Sequence, residues 1–275
     1  MMDPVVSVVL AWLVFAGTHI GMASAPARGP LAARFGDLGF QAVFSLVAAL
    51  GFALLCYVYA LAGNQGPAGL ALGASAWLRW PLMAINVLGV VCVFGSLLDY
   101  PTSAYALSRA GRKSDPRGFE RITRHGFAVG LALVGIAHAL LAARLTGTVF
   151  FAALAVFGIV GSIHQDAKLR ARNPALHGPY MEKSSLLPFA AILAGRNRLV
   201  LSELRPLAVA LGVLGAWGLR EMHPYIFSRG GLYVTGVVLA GAMIASAQDA
   251  RRALRRARRA ADSARVTPQE GRSPR

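Results

Sequence analysis

Long uncharged apolar segments alternate along the chain with shorter polar connections that carry most of its arginines. Most of these segments approach the length, about 20 residues, that an α-helix needs to cross the hydrocarbon core of a bilayer. The segments are Val5–Ala23, Leu38–Ala62, Trp80–Leu98, Gly126–Ala143, Gly147–Ile163, Pro206–Leu219 and Gly230–Ala247. Since the sixth is short for a span, the pattern predicts an all-α, multi-pass integral membrane helical bundle of six to seven transmembrane helices.

Composition agrees with this fold class. Hydrophobic residues make up 56% of the chain and charged residues only 15%, against about 25% charged in a typical soluble domain. We expect residues 1–229 to form the main transmembrane domain and residues 230–248 an additional C-terminal transmembrane helix. Residues 249–275 are expected to be an arginine-rich cytoplasmic tail that is largely disordered.

The basic residues predict the orientation of the helices and one surface that the chain contacts. Arginine and lysine accumulate in alternate loops, which predicts an N-terminus outside and a C-terminus in the cytoplasm, here across a bacterial inner membrane. The formal net charge is +16, but these cations lie in loops and in the tail. The arginines that follow the last helix predict contact with anionic lipid, and no nucleic-acid partner is expected.

The segment from Gly126 to Ala143 contains the first candidate for chemistry, His138. At about 1.5 Å per residue this segment spans roughly 27 Å, so His138 lies within the bilayer, where an ionisable side chain is costly and needs a partner. His138 is therefore a functional-site candidate, and Gly135, one helical turn before it, leaves room beside the ring.

A second intramembrane histidine is His19, near the end of the first apolar segment. Counting residues from the predicted boundaries places His19 and His138 within about 10 Å of each other along the membrane normal. Imidazole is a common axial ligand of haem iron, and this depth is compatible with two histidines on opposite faces of one haem.

Polar residues also gather at the inner boundary of the membrane. Arg124 and His125 begin the fourth span, and His164 and Asp166 follow the fifth, so we expect the second pair to lie near the first. Such a cluster could be catalytic, bind a metal or cofactor, or serve as a polar cap on the helices.

Three stretches, RITRHGFAVGLALVGIAH, SIHQDAKLRAR and SSLLPFAAILAGR, resemble the NnrU family. Within that family, the chain is most similar to the membrane-bound 15-cis-zeta-carotene isomerases of plants and cyanobacteria. The resemblance extends from about Val5 to Tyr225 and leaves out the last span and the arginine tail.

This resemblance implies a multi-pass protein that holds haem b and uses its iron in the redox-dependent cis–trans isomerisation of a carotenoid-like polyene. An apolar polyene or another lipid-soluble small molecule is the implied partner. The family's iron ligands fall on His19 and His138, which are then also the implied catalytic residues, and Gly135, Arg124 and His125 are further candidates for cofactor contacts. The isomerases have a cysteine where this chain has Gly135.

Two other functions remain open from the sequence. The same ligands would serve a haem protein without catalysis, such as a sensor or a nitric-oxide-related accessory protein. Alternatively, Arg124-His125-Gly126 is similar to the Arg-His-Pro motif of membrane methyltransferases that act on isoprenylcysteine with S-adenosylmethionine. In that case the inner cluster would be the active site, and His138 would have no role.

Overall fold

The computed structural model describes residues 2–99, 115–241 and 243, and it is built almost entirely of helices. The helices are α1 (Pro4–Ala23), α2 (Ala25–Ala62), α3 (Ala76–Asp99), α4 (Phe119–Ile122), α5 (Gly126–Leu141), α6 (Leu145–Arg172), α7 (Pro174–Glu182), α8 (Ala190–Leu193), α9 (Pro206–Glu221) and α10 (residues 228–241). Within the described residues, the only extended pairing is an isolated bridge between Ala68 and Arg144. The predicted all-α class is therefore confirmed.

Helix length and surface composition support a membrane bundle. Among the described residues, four helices, α1, α2, α3 and α6, are long and apolar enough to cross a bilayer, and α5 is a shorter apolar helix. Large apolar side chains also cover the outside of the bundle: Leu13 is 64% exposed and Leu38 is 82% exposed. Because a water-soluble protein rarely exposes a large contiguous apolar surface, these side chains are best explained by contact with lipid.

The apolar segments locate the helices well, with two differences. Helix α2 begins at Ala25, earlier than predicted, and bends at Gly36, whose φ of 71° and ψ of 166° are not helical. Glycine adopts this backbone conformation without the steric cost that a Cβ atom imposes. Helix α6 continues to Arg172 rather than ending at Ile163, because the polar residues after Ile163 remain helical.

Helix α5 lies between α3 and α6, and its backbone approaches both closely. Gly89 of α3 faces Gly130 of α5, and a Cβ atom added at Gly89 would lie only 2.7 Å from the Gly130 carbonyl oxygen. On the other side, Gly158 of α6 packs against the backbone at Ala128. Small residues at such crossings allow transmembrane helices to pack backbone against backbone.

Aromatic side chains form the largest buried cluster, between α1, α2 and α6. The ring of Trp12 lies 5.6 Å from that of Phe150, and Tyr59 stacks on Phe150 with ring centroids 3.9 Å apart. Leu55 and Val8 are fully buried beside them. This cluster joins the first two helices to α6.

The bundle has two ends, named here for residues that lie there. At the Pro4 end, Gly66 is close to Pro4 and Thr146, and the buried Thr146 hydroxyl donates to the carbonyl of Gln65 at 2.8 Å. At the Asp99 end, Arg205 forms a 3.0 Å ion pair with Asp99, beside Gly118 at the start of α4. The predicted lipid-binding tail, residues 249–275, lies outside the described residues, as do residues 242 and 244–248 of the predicted last helix.

Candidate functional site

Two imidazole rings meet near the Pro4 end of the bundle. His138, in the last turn of α5, has its Nδ1 atom 2.9 Å from the carbonyl oxygen of Val134. Its ring stacks on Phe151 of α6 at 4.6 Å between centroids. The other neighbouring ring is that of His223, in the turn after α9: the two ring planes differ by 8° and their centroids are 6.1 Å apart.

The hydrogen bond to Val134 determines which ring nitrogen of His138 is available. A carbonyl oxygen only accepts, so Nδ1 carries the proton and Nε2 keeps its lone pair. Metal-binding histidines characteristically use one ring nitrogen as the ligand while the other donates to a carbonyl or carboxylate. The His138 ring is thus oriented as a donor ligand through Nε2, with Phe151 limiting its rotation.

Gly135 packs against α6 and does not leave room for a cofactor. A Cβ atom added there would lie 2.7 Å from the carbonyl oxygen of Phe151 and 2.8 Å from the amide nitrogen of Ala155. Both atoms belong to the backbone of α6. The space that the sequence analysis assigned to the neighbourhood of the His138 ring is therefore filled by the neighbouring helix.

His19 lies in a different environment, among three phenylalanine rings. Phe15, Phe44 and Phe157 have ring centroids 5.6, 5.0 and 5.5 Å from that of His19. The His19 Nδ1 atom is buried, and no described residue forms a hydrogen bond with it. A buried nitrogen without a partner carries a desolvation cost, which makes it a candidate for binding a further group.

The structure does not bring His19 and His138 together. His19 contacts α6 at Phe157 and His138 contacts α6 at Phe151, positions that lie about 9 Å apart along the helix axis and about 120° apart around it. Comparing the depths of the two histidines along the membrane normal gave no information about the direction in which each ring lies. A single iron bound to two imidazoles needs their nitrogens within about 4 Å of each other, and these two rings are not arranged in that way.

The second candidate site is the polar cluster at the Asp99 end, formed by Arg124, His125 and Asp166. His125 Nε2 is 2.6 Å from Asp166 Oδ1, and Arg124 donates to the same carboxylate from Nη2 at 2.6 Å and from Nε at 2.9 Å. Arg124 also donates to the Ser184 carbonyl at 3.2 Å. The side chains of all three residues are 14–15% exposed, so the cluster is largely shielded from solvent.

Neighbouring polar pairs support this cluster. Arg121 binds both carboxylate oxygens of Glu203, at 2.7 and 2.8 Å. The hydrogen bond from Arg121 is the main reason that the pKa of Glu203 is lowered to about 2, against the opposing effect of burial. Tyr180 donates to Glu120 at 3.3 Å, and its burial, together with that carboxylate, raises the pKa of the phenol well above its ordinary value.

Comparison with known proteins gives one match. The family model described as NnrU protein matches residues 7–229, which is most of the chain. The chain belongs to the NnrU family. No curated protein and no solved structure matches it.

The NnrU match includes both candidate sites and ends at residue 229, close to the start of α10. Within this NnrU domain, the expectation that Asp166 lies beside His125 is confirmed by their 2.6 Å contact. Among the described residues, no group of three or more histidine, cysteine, aspartate or glutamate side chains is placed to hold a metal ion.

Sequence analysis of the NnrU chain missed the position of His223 beside His138. It paired His138 only with His19, the other histidine that lies within a predicted span. The two residues are separated by 85 positions, and no periodic pattern connects a turn residue to the end of another helix. A search for every histidine that returns to the same end of the bundle would have found the pair.

Proposed function

We propose that this NnrU-family protein binds haem in the membrane and that His138 is a ligand to the iron. The observation that carries the proposal is the 2.9 Å contact between His138 Nδ1 and the Val134 carbonyl. It orients the ring, fixes its tautomer and leaves Nε2 as a donor atom, which is the arrangement that haem iron requires of an axial histidine.

Packing around His138 supports a rigid ligand. Phe151 stacks on the ring, and Gly135 holds α5 against α6 one helical turn before the histidine. Because the ligand lies on a helix with close backbone packing, it loses little conformational freedom when it binds the metal. A bound haem would supply one-electron iron chemistry at this position.

Polyene isomerisation, which the family resemblance implies, receives less support from this chain. The isomerases have a cysteine at the position of Gly135, and here a side chain at that position would meet the backbone of α6. We therefore place haem binding first and polyene isomerisation second. A non-catalytic haem or nitric-oxide-related role needs no thiol and fits the same ligand.

The methyltransferase alternative receives no specific support from the polar cluster at the Asp99 end. Arg124 is hydrogen-bonded to Asp166 and to the Ser184 carbonyl, and His125 is hydrogen-bonded to Asp166. These side chains satisfy one another within the protein, as in a polar cap. We assign the cluster a structural role at the end of the bundle.

Absorption spectroscopy tests the proposal directly. The full-length protein, purified in detergent and mixed with haemin, is expected to show a Soret band that titrates to one haem per chain. His138→Ala should weaken binding at least tenfold, whereas His164→Ala, at the opposite end of the bundle, should leave it unchanged. The absence of a Soret band from the wild-type protein would refute haem binding. Loss of the band in His164→Ala alone would refute the assignment to His138.

A further inference from the structure

His223 is the imidazole that faces His138, and it is held on an ordered turn. Helix α9 packs against α3 so closely that a Cβ atom added at Gly212 would lie 2.6 Å from the Cα atom of Val91. The turn that follows is closed by backbone hydrogen bonds, among them His223 N to Arg220 O at 3.2 Å and Tyr225 N to Met222 O at 2.8 Å. His223 is thus presented to the end of α5 by an ordered turn.

The separation of the two rings matches the space that one metal ion needs. Two imidazoles bound to one iron, each at about 2 Å, have ring centroids about 6 Å apart. The observed separation is 6.1 Å. A direct hydrogen bond between two ring nitrogens would bring the centroids to about 5 Å, and the two residues form no such bond.

We propose that His138 and His223 are the two axial ligands of one haem iron. This inference rests on the proposed function and names the second ligand, which the resemblance to the isomerases would assign to His19. The two rings already lie at the required separation with nearly parallel planes. His19, by contrast, contacts α6 about 9 Å further along its axis than His138 does.

The positions of the two ligands also indicate where the haem would sit. His138 is partly buried and His223 is exposed, so the site would lie at the edge of the bundle near its Pro4 end. A porphyrin with one imidazole on each face would meet lipid only through its apolar edge. A site between α1 and α6, the position that His19 would require, is instead filled by Phe15 and Phe157.

Spin state distinguishes the two candidate ligands. The full-length protein loaded with haemin is expected to be ferric low-spin, as iron with two imidazole ligands is. His223→Ala should convert it to a high-spin form, and added free imidazole should restore the low-spin spectrum. His19→Ala, the matched control, should remain low-spin.

Each result bears on the inference. A low-spin His223→Ala protein would overturn it. A high-spin His19→Ala protein would also overturn it while leaving haem binding intact, and a wild-type protein without a Soret band would overturn both proposals.

A second measurement on the wild-type protein does not depend on any variant. Because the two imidazole planes differ by only 8°, electron paramagnetic resonance should give the rhombic low-spin spectrum of parallel imidazole ligands. The strongly anisotropic spectrum of perpendicular ligand planes would contradict the His138–His223 pair.

Discussion

Replacing Gly135 with cysteine tests whether this chain can accommodate the residue that the isomerases have at the same position. The new Cβ atom would lie 2.7 Å from the Phe151 carbonyl oxygen and 2.8 Å from the Ala155 amide nitrogen. Ordinary carbon contacts are about 3.5–4.0 Å, so α5 and α6 would have to separate by about 1 Å. Because both obstructing atoms are backbone, no rotamer change relieves the contact.

Overpacking of this kind costs about 1–3 kcal/mol. In a chain of this size we expect the midpoint of thermal unfolding in detergent to fall by roughly 3–10 °C. Gly161→Cys is the matched control, because it also lies in an apolar helix and a Cβ atom there meets nothing within 4 Å. If the two variants unfold at the same temperature, the close contact between α5 and α6 at Gly135 does not exist.

Three other substitutions test the polar ends of the bundle. Asp166→Asn should destabilise the protein by about 3 kcal/mol, because it breaks a largely buried ion pair. Asp37→Asn, which breaks an exposed pair, should cost less than about 1 kcal/mol. Denaturant unfolding measures both free energies. The pKa of Glu203 is lowered from 4.5 to about 2, so its stabilising effect is complete above pH 4.5 and is lost as the pH falls toward 2. Glu203→Gln should therefore reduce the difference in unfolding temperature between pH 7 and pH 3. Thr146→Val should cost about 1–2 kcal/mol, because it removes the fully buried hydroxyl that donates to the Gln65 carbonyl at 2.8 Å. Thr146→Ser, which keeps the hydroxyl, should cost less in the same unfolding assay.

The sequence predicted the helices because apolar runs of membrane length leave few other structures available. Helix α1 was predicted to within one residue from its apolar run, and the structure shows Asp3 as its cap and Pro4 as its first residue. The kink in α2 was not predicted, because Gly36 differs from the helical glycines around it only in its backbone dihedral angles. The continuation of α6 to Arg172 was missed because hydropathy stops marking a helix where it leaves the apolar region.

The candidate site was predictable where it depends on depth in the membrane and unpredictable where it depends on direction. His125 was predicted to lie near Asp166 because His125 precedes one span and Asp166 follows the next at the same membrane boundary. Their contact in the structure confirms this prediction. His19 and His138 were paired by depth and by the family resemblance, but residue counting does not specify where along and around α6 each ring packs. That information comes only from helix packing.

The packing also explains why the two proposed iron ligands would behave differently. Glycine contacts hold α5 against α3 at Gly130 and against α6 at Gly135, so His138 cannot shift without moving both neighbouring helices. His223 lies on a turn between α9 and α10, where adjustment involves fewer contacts. Of the two proposed ligands, His138 is therefore the one that packing holds in place, and His223 is the one that would give way more readily to an added ligand. Carbon monoxide binding to the reduced protein should therefore depend on His138 and proceed faster in His223→Ala than in wild type, and equal rates in the two proteins would contradict this assignment of roles.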